Sequence, residues 1–168
     1  MIREFNGKRP QIASSAFVSE TAYIAGDVEI GENANIWPGA VIRGDIAKIT
    51  IGKNTSIEDN CVVHSATGLI IGDNTIVGHA AILHCKKIGN NVLIGNNATV
   101  LDNAEIGDYC IIAAGSLVSP GTILPSESFA TGVPAQVKGK TSQNQKDYIT
   151  IGSAFNIELA QKYKKQGL

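Results

Sequence analysis

Charged side chains are scarce in this 168-residue chain, at 17% of residues against roughly 25% in an average soluble protein. The formal net charge is only -1, so nucleic acid and anionic membrane surfaces are poor candidates for partners. No apolar run approaches the roughly 18 residues needed to cross a bilayer, and the N-terminus has no apolar signal segment. The three cysteines lack a C-x-x-C spacing and predict no disulfide framework. We therefore expect a cytoplasmic protein with neither membrane nor nucleic acid as its partner.

Leucine is also sparse, and Ile and Val together far outnumber it. Side chains branched at Cβ favour strands, whereas the 18 glycines supply turns. The composition therefore excludes a helical bundle and predicts an all-β protein with many corners.

A six-residue repeat of aliphatic residues runs through most of the chain. Its anchors are Val18, Ile24, Ile30, Ile36, Ile42, Ile51, Ile57, Val63, Ile71, Val77, Leu83, Ile88, Ile94, Val100, Ile106, Ile112, Val118 and Leu124. Asparagine often stands three residues after an anchor, where a corner residue with positive φ is expected. The pattern predicts a parallel β-solenoid with three flat faces per coil, in which successive coils stack about 4.8 Å apart.

The repeat ends near Leu124 and is followed by an exit loop around 131–135. We predict a β-helix domain over 1–137, which includes an N-terminal cap and the exit loop. Residues 138–168 are predicted to form a linker and a C-terminal helical segment packed on the β-helix. An apolar stripe predicts one or two helices there, and Gly152 is expected to kink or divide them. The stripe consists of Tyr148, Ile151, Phe155, Leu159 and Tyr163.

The repeat assigns positions to the only three histidines. His64 and His84 each follow an anchor one full coil apart, so they stack on one face, with Arg43 one coil below His64. His79 belongs to a different face. Zinc binds nitrogen at about 2.0–2.1 Å, so one chain cannot easily bring all three rings to one ion. A closed trimer would place the His79 edge of one chain against the His64 and His84 face of the next. A metal site shared between chains is therefore favoured over unrelated surface histidines.

Four segments carry a resemblance to a known family. They are Ile36–Asp45 (IWPGAVIRGD), Ile57–His64 (IEDNCVVH), Gly78–His84 (GHAAILH) and the exit Gly132–Ala135 (GVPA). In these the chain resembles the gamma-class carbonic anhydrases and their short relatives over nearly its whole length. The resemblance implies a left-handed β-helix and a homotrimer. It also implies one metal held by His64 and His84 of one subunit and His79 of the next, with Zn²⁺ expected and Fe²⁺ or Co²⁺ as alternatives.

The activity implied by the resemblance is the reversible hydration of carbon dioxide to bicarbonate by a metal-bound hydroxide. Arg43 and Asp45 match family positions near the site, and Asp59 matches the acidic partner of that arginine across the interface. These three residues could equally form an interface ion pair without a chemical role. Asn156 matches a polar residue beside the site. Glu58 stands where the family usually has Gln, and it could orient the metal water, accept its proton or be a solvated or interface charge.

Besides Glu58, the sequence departs from the family at two further places, and these departures leave the substrate open. The acidic loop that follows the first histidine in well-characterised members is replaced by the short segment 65–69, and Ala154 stands where the family has Tyr. Cys61 and Cys110 are predicted to lie in the core, whereas Cys85 follows His84 and could lie near the site. One alternative is a hexapeptide acyltransferase that uses acyl-coenzyme A. The other is a trimeric scaffold with a non-catalytic metal.

Overall fold

The computed structural model describes residues 1–168 and consists of short strands followed by one helix. The twenty strands are β1 (Ile2–Arg3), β2 (Gln11–Ile12), β3 (Phe17–Val18), β4 (Tyr23–Ile30), β5 (Asn35–Ile36), β6 (Val41–Ile51), β7 (Ser56–Ile57), β8 (Val62–His64), β9 (Leu69–Ile71), β10 (Ile76–Val77), β11 (Ile82–Leu83), β12 (Lys87–Ile88), β13 (Leu93–Ile94), β14 (Thr99–Val100), β15 (Glu105–Ile106), β16 (Ile111–Ile112), β17 (Leu117–Val118), β18 (Ile123–Leu124), β19 (Ser128–Gly132) and β20 (Ala135–Lys140). The helix α1 spans Gln143–Gln166.

The strands stack into three faces of a parallel β-solenoid. Face 1 consists of β1, the first halves of β4 and β6, and then β8, β11, β14 and β17. Face 2 consists of β2, the second halves of β4 and β6, and then β9, β12, β15 and β18. Face 3 runs from β3 through β5, β7, β10, β13 and β16 to β19. Every pairing within the stack is parallel, and only β20 pairs antiparallel, with β19. The predicted solenoid is confirmed.

The aliphatic anchors fill the inside of the solenoid. All of them except the half-buried Val18 are buried, and they form one core with the small residues that follow them at corners. The predicted register is also confirmed, because Val63 pairs with Leu83 and Ile57 pairs with Val77. The repeat therefore determines which residues stack from coil to coil.

Asparagine forms many of the corners. Seven asparagines have φ between 54° and 59°, a conformation that asparagine tolerates better than most side chains. They are Asn33, Asn54, Asn60, Asn74, Asn91, Asn97 and Asn103. At one edge their amides form a ladder, in which Asn33 donates to Asn54 at 3.3 Å and Asn54 donates to Asn74 at 3.0 Å.

The C-terminal segment differs from the prediction in two ways. Helix α1 is continuous through Gly152, where an added Cβ would lie only 3.1 Å from Ile76 Cδ1, so this glycine lets the helix approach face 3. The apolar stripe was only partly right. Tyr148, Ile151 and Phe155 are exposed, whereas the buried side of the helix includes small residues such as Ser153. The strand β20 connects the solenoid to the helix, and the division of the chain between 137 and 138 stays a prediction.

The helix begins and ends at well-defined caps and lies on face 3. Ser142 and Gln145 form a capping box, and Gly167 ends the helix in the left-handed conformation. Ser153 Oγ donates to the carbonyl oxygen of Asn54 at 3.1 Å. Near its end, Tyr163 packs edge-on against Phe17 and Trp37. The helix therefore lies beside the corners that follow β7 and β10.

Candidate metal centre

Two imidazole rings meet where β8 and β11 end on face 1. Because Val63 and Leu83 are paired, the residues that follow them, His64 and His84, stack one above the other. Nδ1 of His64 lies 3.1 Å from Nε2 of His84, and the ring centroids are 5.1 Å apart. Two nitrogens bound to one tetrahedral zinc ion would lie roughly 3.3 Å apart. The pair thus fits two ligands of a shared ion.

Each of these rings has a carboxylate on its other nitrogen. Asp45 Oδ1 lies 2.9 Å from His64 Nε2, and Asp102 Oδ1 lies 3.0 Å from His84 Nδ1. Histidine ligands of metals commonly donate this second N–H to a carboxylate, which fixes the tautomer and the ring orientation. Asp102 was missed in the sequence, although its position two residues after the anchor Val100, one coil above His84, could have indicated it.

Asp45 also belongs to an ion pair at the turn of β6. Its Oδ2 accepts from Nη1 of Arg43, which is paired in register with His64. Burial raises the pKa of Asp45, but the hydrogen bond from His64 and the charge of Arg43 outweigh it, so the pKa is lower than the usual 3.8. Asp45 is therefore held ionised beside the histidine pair. Arg43 therefore lies on the His64 face, as the repeat predicted, and Asp45 lies beside the same imidazole ring.

The third histidine lies at the corner after β10, among acidic groups. His79 Nδ1 lies 2.9 Å from Asp59 Oδ2, and its Nε2 lies 3.2 Å from Glu58 Oε2. Asn156 of α1 donates to the other oxygen of Glu58 at 3.2 Å. Glu58, Asp59, His79 and Asn156 therefore form one cluster.

The two halves remain separate within one chain. No three His, Cys, Asp or Glu side chains of one chain are arranged so that they could together hold a metal ion. His79 is 55% exposed and accessible to a second molecule, and so is Asp59 at 38%. Contact between Arg43 and Asp59 of different chains stays a prediction.

An apolar groove adjoins the His79 cluster, between α1 and face 3. It has a volume of about 630 Å³, and its walls include Ile76, Leu93, Ile111 and Phe155. A smaller hollow of about 310 Å³ lies beside it, next to Trp37. Glu58, His79, Phe155 and Asn156 line both spaces. The cluster therefore lies at the mouth of an apolar space.

The three cysteines lie in the core and take no part in this centre. Cys61, Cys85 and Cys110 are free and buried. Burial raises the pKa of the Cys61 and Cys85 thiols to about 12, so neither is a thiolate near neutral pH. Cys85 therefore does not serve as a nucleophile beside His84.

The solenoid agrees with the known proteins that the chain resembles. The family model "Bacterial transferase hexapeptide (six repeats)" matches residues 9–44 and 86–120. A probable carbonic anhydrase of Methanocaldococcus jannaschii is 43% identical over 152 residues, which cover 89% of this chain and 96% of that protein. The chain belongs to the family of gamma-class carbonic anhydrase-like hexapeptide-repeat proteins.

Other proteins that the chain is similar to are longer or carry different names. Gamma carbonic anhydrase 2 from the mitochondria of Arabidopsis thaliana is 37% identical over 92% of this chain, but the match spans only 58% of that protein. The crystal structure of a hexapeptide transferase family protein from Anaplasma phagocytophilum superposes with a TM-score of 0.94 at 37% identity. That match covers 97% of this chain and 98% of the other. Separately, no helix of the present structure has both the length and the apolarity to cross a membrane.

Proposed function

We propose that this protein catalyses the reversible hydration of carbon dioxide to bicarbonate at a metal site shared between subunits of a homotrimer. The observation that carries the proposal is the pair of ring nitrogens of His64 and His84, 3.1 Å apart and each backed by a carboxylate. Membership of a family whose relatives are named carbonic anhydrases supports the same reaction. The cytoplasm stays the predicted location.

The residues present fit a metal ion of the imidazole-binding kind. His64 and His84 would hold it from one chain and His79 from the partner subunit. Neutral imidazoles bind Zn²⁺, Fe²⁺ and Co²⁺. We expect Zn²⁺ at this site, with Fe²⁺ or Co²⁺ as alternatives. Such an ion supplies one thing to the chemistry, namely a water molecule whose pKa falls towards 7. Because ligand nitrogens must be unprotonated, acid should release the metal.

In the other half of the site, the cluster of Glu58, Asp59, His79 and Asn156 would accept the proton released by the metal-bound water. Glu58 has one carboxylate oxygen on His79 and the other on the Asn156 amide, which fixes its direction. A carboxylate held in this way can orient a water molecule and accept its proton. The adjoining groove has apolar walls, as the entry of a neutral, weakly polar substrate such as carbon dioxide requires. Asp59 would pair with Arg43 across the subunit contact and align the two halves.

The direct test is stopped-flow carbon dioxide hydration by zinc-loaded protein, with His79→Ala and His64→Ala as separate variants. Each variant should lose activity, because each removes one ligand. If the site lies between subunits, trimers refolded from an equal mixture of the two variants regain intact sites. Each site lies between two neighbouring subunits, and random assembly gives four equally frequent combinations of the two variants at these positions. Only one combination joins an intact His64 and His84 face to an intact His79, so about one quarter of the sites should be restored. No recovery in mixed trimers would contradict the shared site, and no hydration by metal-loaded wild type would refute the substrate.

A hexapeptide acyltransferase is the second candidate. It is favoured by the structural similarity to a protein titled a hexapeptide transferase family member and by the groove of about 630 Å³, which is larger than carbon dioxide needs. Isothermal titration with acetyl-coenzyme A in the absence of metal separates the two candidates. Binding that His64→Ala and His79→Ala leave unchanged would favour the acyltransferase. A trimeric scaffold with a non-catalytic metal would bind zinc and show neither activity.

A further inference from the structure

We propose that Asp102 is a positioning residue that selects the tautomer of His84 and so presents its Nε2 for metal binding. The proposal rests on the metal site described under Proposed function. It concerns one carboxylate that neither the resemblance nor any relative's name assigns.

The geometry of His84 places its two ring nitrogens in different roles. Nε2 faces Nδ1 of His64 at 3.1 Å, and Nδ1 lies 3.0 Å from Asp102 Oδ1. A neutral imidazole carries one proton, and an ionised carboxylate can only accept a hydrogen bond. Asp102 therefore places that proton on Nδ1 and leaves the lone pair of Nε2 directed at the shared point. Without it, either nitrogen of His84 can carry the proton.

The position of Asp102 in the repeat makes a purely architectural role a poor explanation. Asp73 and Asp108 also stand two residues after an anchor, at another corner of the solenoid. There, Asp73 Oδ1 accepts from the backbone N–H of Lys53 at 2.7 Å, and Asp108 Oδ1 accepts from that of Asn90 at 2.7 Å. Asp102 instead directs its Oδ1 to an imidazole ring. The aspartate at this repeat position thus accepts a hydrogen bond from the backbone at the corner of Asp73 and Asp108, whereas at the corner of Asp102 it contacts a histidine ring.

Exposure of the Asp102 side chain makes the test practical. It is 55% exposed, whereas the His84 side chain is 31% exposed. Replacing an exposed side chain with no other hydrogen bond should leave the fold intact. The Asp102→Asn variant keeps an oxygen that can accept the Nδ1 proton, whereas Asp102→Ala does not. Asp108→Ala is the matched control, because it removes a carboxylate at the same repeat position without touching a histidine.

The first measurement is zinc affinity by competition with a chelator, using the full-length protein. Asp102→Ala should weaken zinc binding by about 10- to 100-fold, the range known for such supporting carboxylates. Asp102→Asn should recover most of this loss, and Asp108→Ala should bind zinc like wild type. Equal losses in Asp102→Asn and Asp102→Ala would show that only the charge matters and would overturn the positioning role. Unchanged affinity in Asp102→Ala would also overturn it.

The second measurement follows the tautomer without any metal. The ¹⁵N chemical shifts of His84 should report a proton on Nδ1 in wild type and in Asp102→Asn, and a mixture in Asp102→Ala. A mixture already present in wild type would contradict the proposal. Failure of the wild-type protein to bind zinc would refute the metal site itself. Loss of carbon dioxide hydration alone, with the zinc affinities and ¹⁵N shifts as expected, would leave the role of Asp102 standing.

Discussion

Two coils of the backbone approach each other closely at Gly44, which lies between Arg43 and Asp45. In the stack Gly44 is paired with Gly26 of the coil below. A Cβ added at Gly44 would lie 2.7 Å from the carbonyl carbon of Asp27 and closer still to its oxygen. Ordinary contacts of Cβ atoms begin near 3.4 Å. Gly44→Ala therefore forces two backbone segments apart, since no side chain is available to move instead.

The size of the effect follows from this geometry. Overpacking costs about 1–3 kcal/mol, and a clash between backbone atoms belongs near the upper end. Replacing glycine by alanine returns up to about 1 kcal/mol by restricting the unfolded chain. The net loss should be about 2 kcal/mol, which lowers the melting temperature of a protein of this size by about 4–8 °C. Because Asp45 moves with its neighbour, its contact with His64 should weaken too, and zinc affinity should fall.

Thermal unfolding followed by circular dichroism, at one protein concentration, measures this loss. Gly139→Ala is the control, because a Cβ there meets nothing within 4 Å. The control should melt at or slightly above the wild-type temperature. If Gly44→Ala melts together with Gly139→Ala, the close approach of the two coils does not constrain the backbone, and the reasoning fails.

Two further predictions concern acid stability and the corners. The pKa of Asp45 is lower in the folded protein, so its stabilising contribution is present above the ordinary value of 3.8 and is lost as pH falls through the lower folded value. The melting temperature of metal-free Asp45→Asn should therefore lie below that of wild type at pH 6 and approach it in strong acid; a gap that widens in acid would contradict this. At the corner residue Asn97, with φ of 57°, replacement by Val should cost about 1–2 kcal/mol more than replacement by Gly in urea unfolding. Equal stability of these two variants would show that the left-handed backbone is not what selects asparagine there.

Much of the fold could be predicted because one short period determines so many contacts. Once Val63 and Leu83 are placed one coil apart, the stacking of His64 on His84 follows without any knowledge of side-chain conformations. The proximity of Glu58 and Asp59 to His79 follows in the same way. Asparagine at corners also follows from a local rule, since few other residues adopt positive φ at low energy.

The features that could not be predicted from the sequence depend on more than the six-residue period. Helix α1 has no repeat to determine its register, and its buried side uses small residues, so the apolar stripe around Tyr148 indicated the wrong contacts. Glycine weakens isolated helices, so the sequence predicts a kink or a division at Gly152. In the structure the helix is continuous there, and the close approach of Ile76 favours a residue without a Cβ. Asp102 was overlooked because its role depends on the direction of one side chain, which repeat position alone does not give.

The corner that follows His64 shows how such a molecule can diversify. The step from Val63 to the next anchor, Ile71, is eight residues rather than six, yet these anchors keep their pairing with Leu83 and Ile88 in the coil above. Each coil of a solenoid contacts only its neighbours, so the length of a corner is independent of the stack. An insertion at this corner would add residues at the edge of the site without changing the pairing of the strands. Related proteins can in this way acquire different loops around the site, and with them different specificities, while they keep the same core.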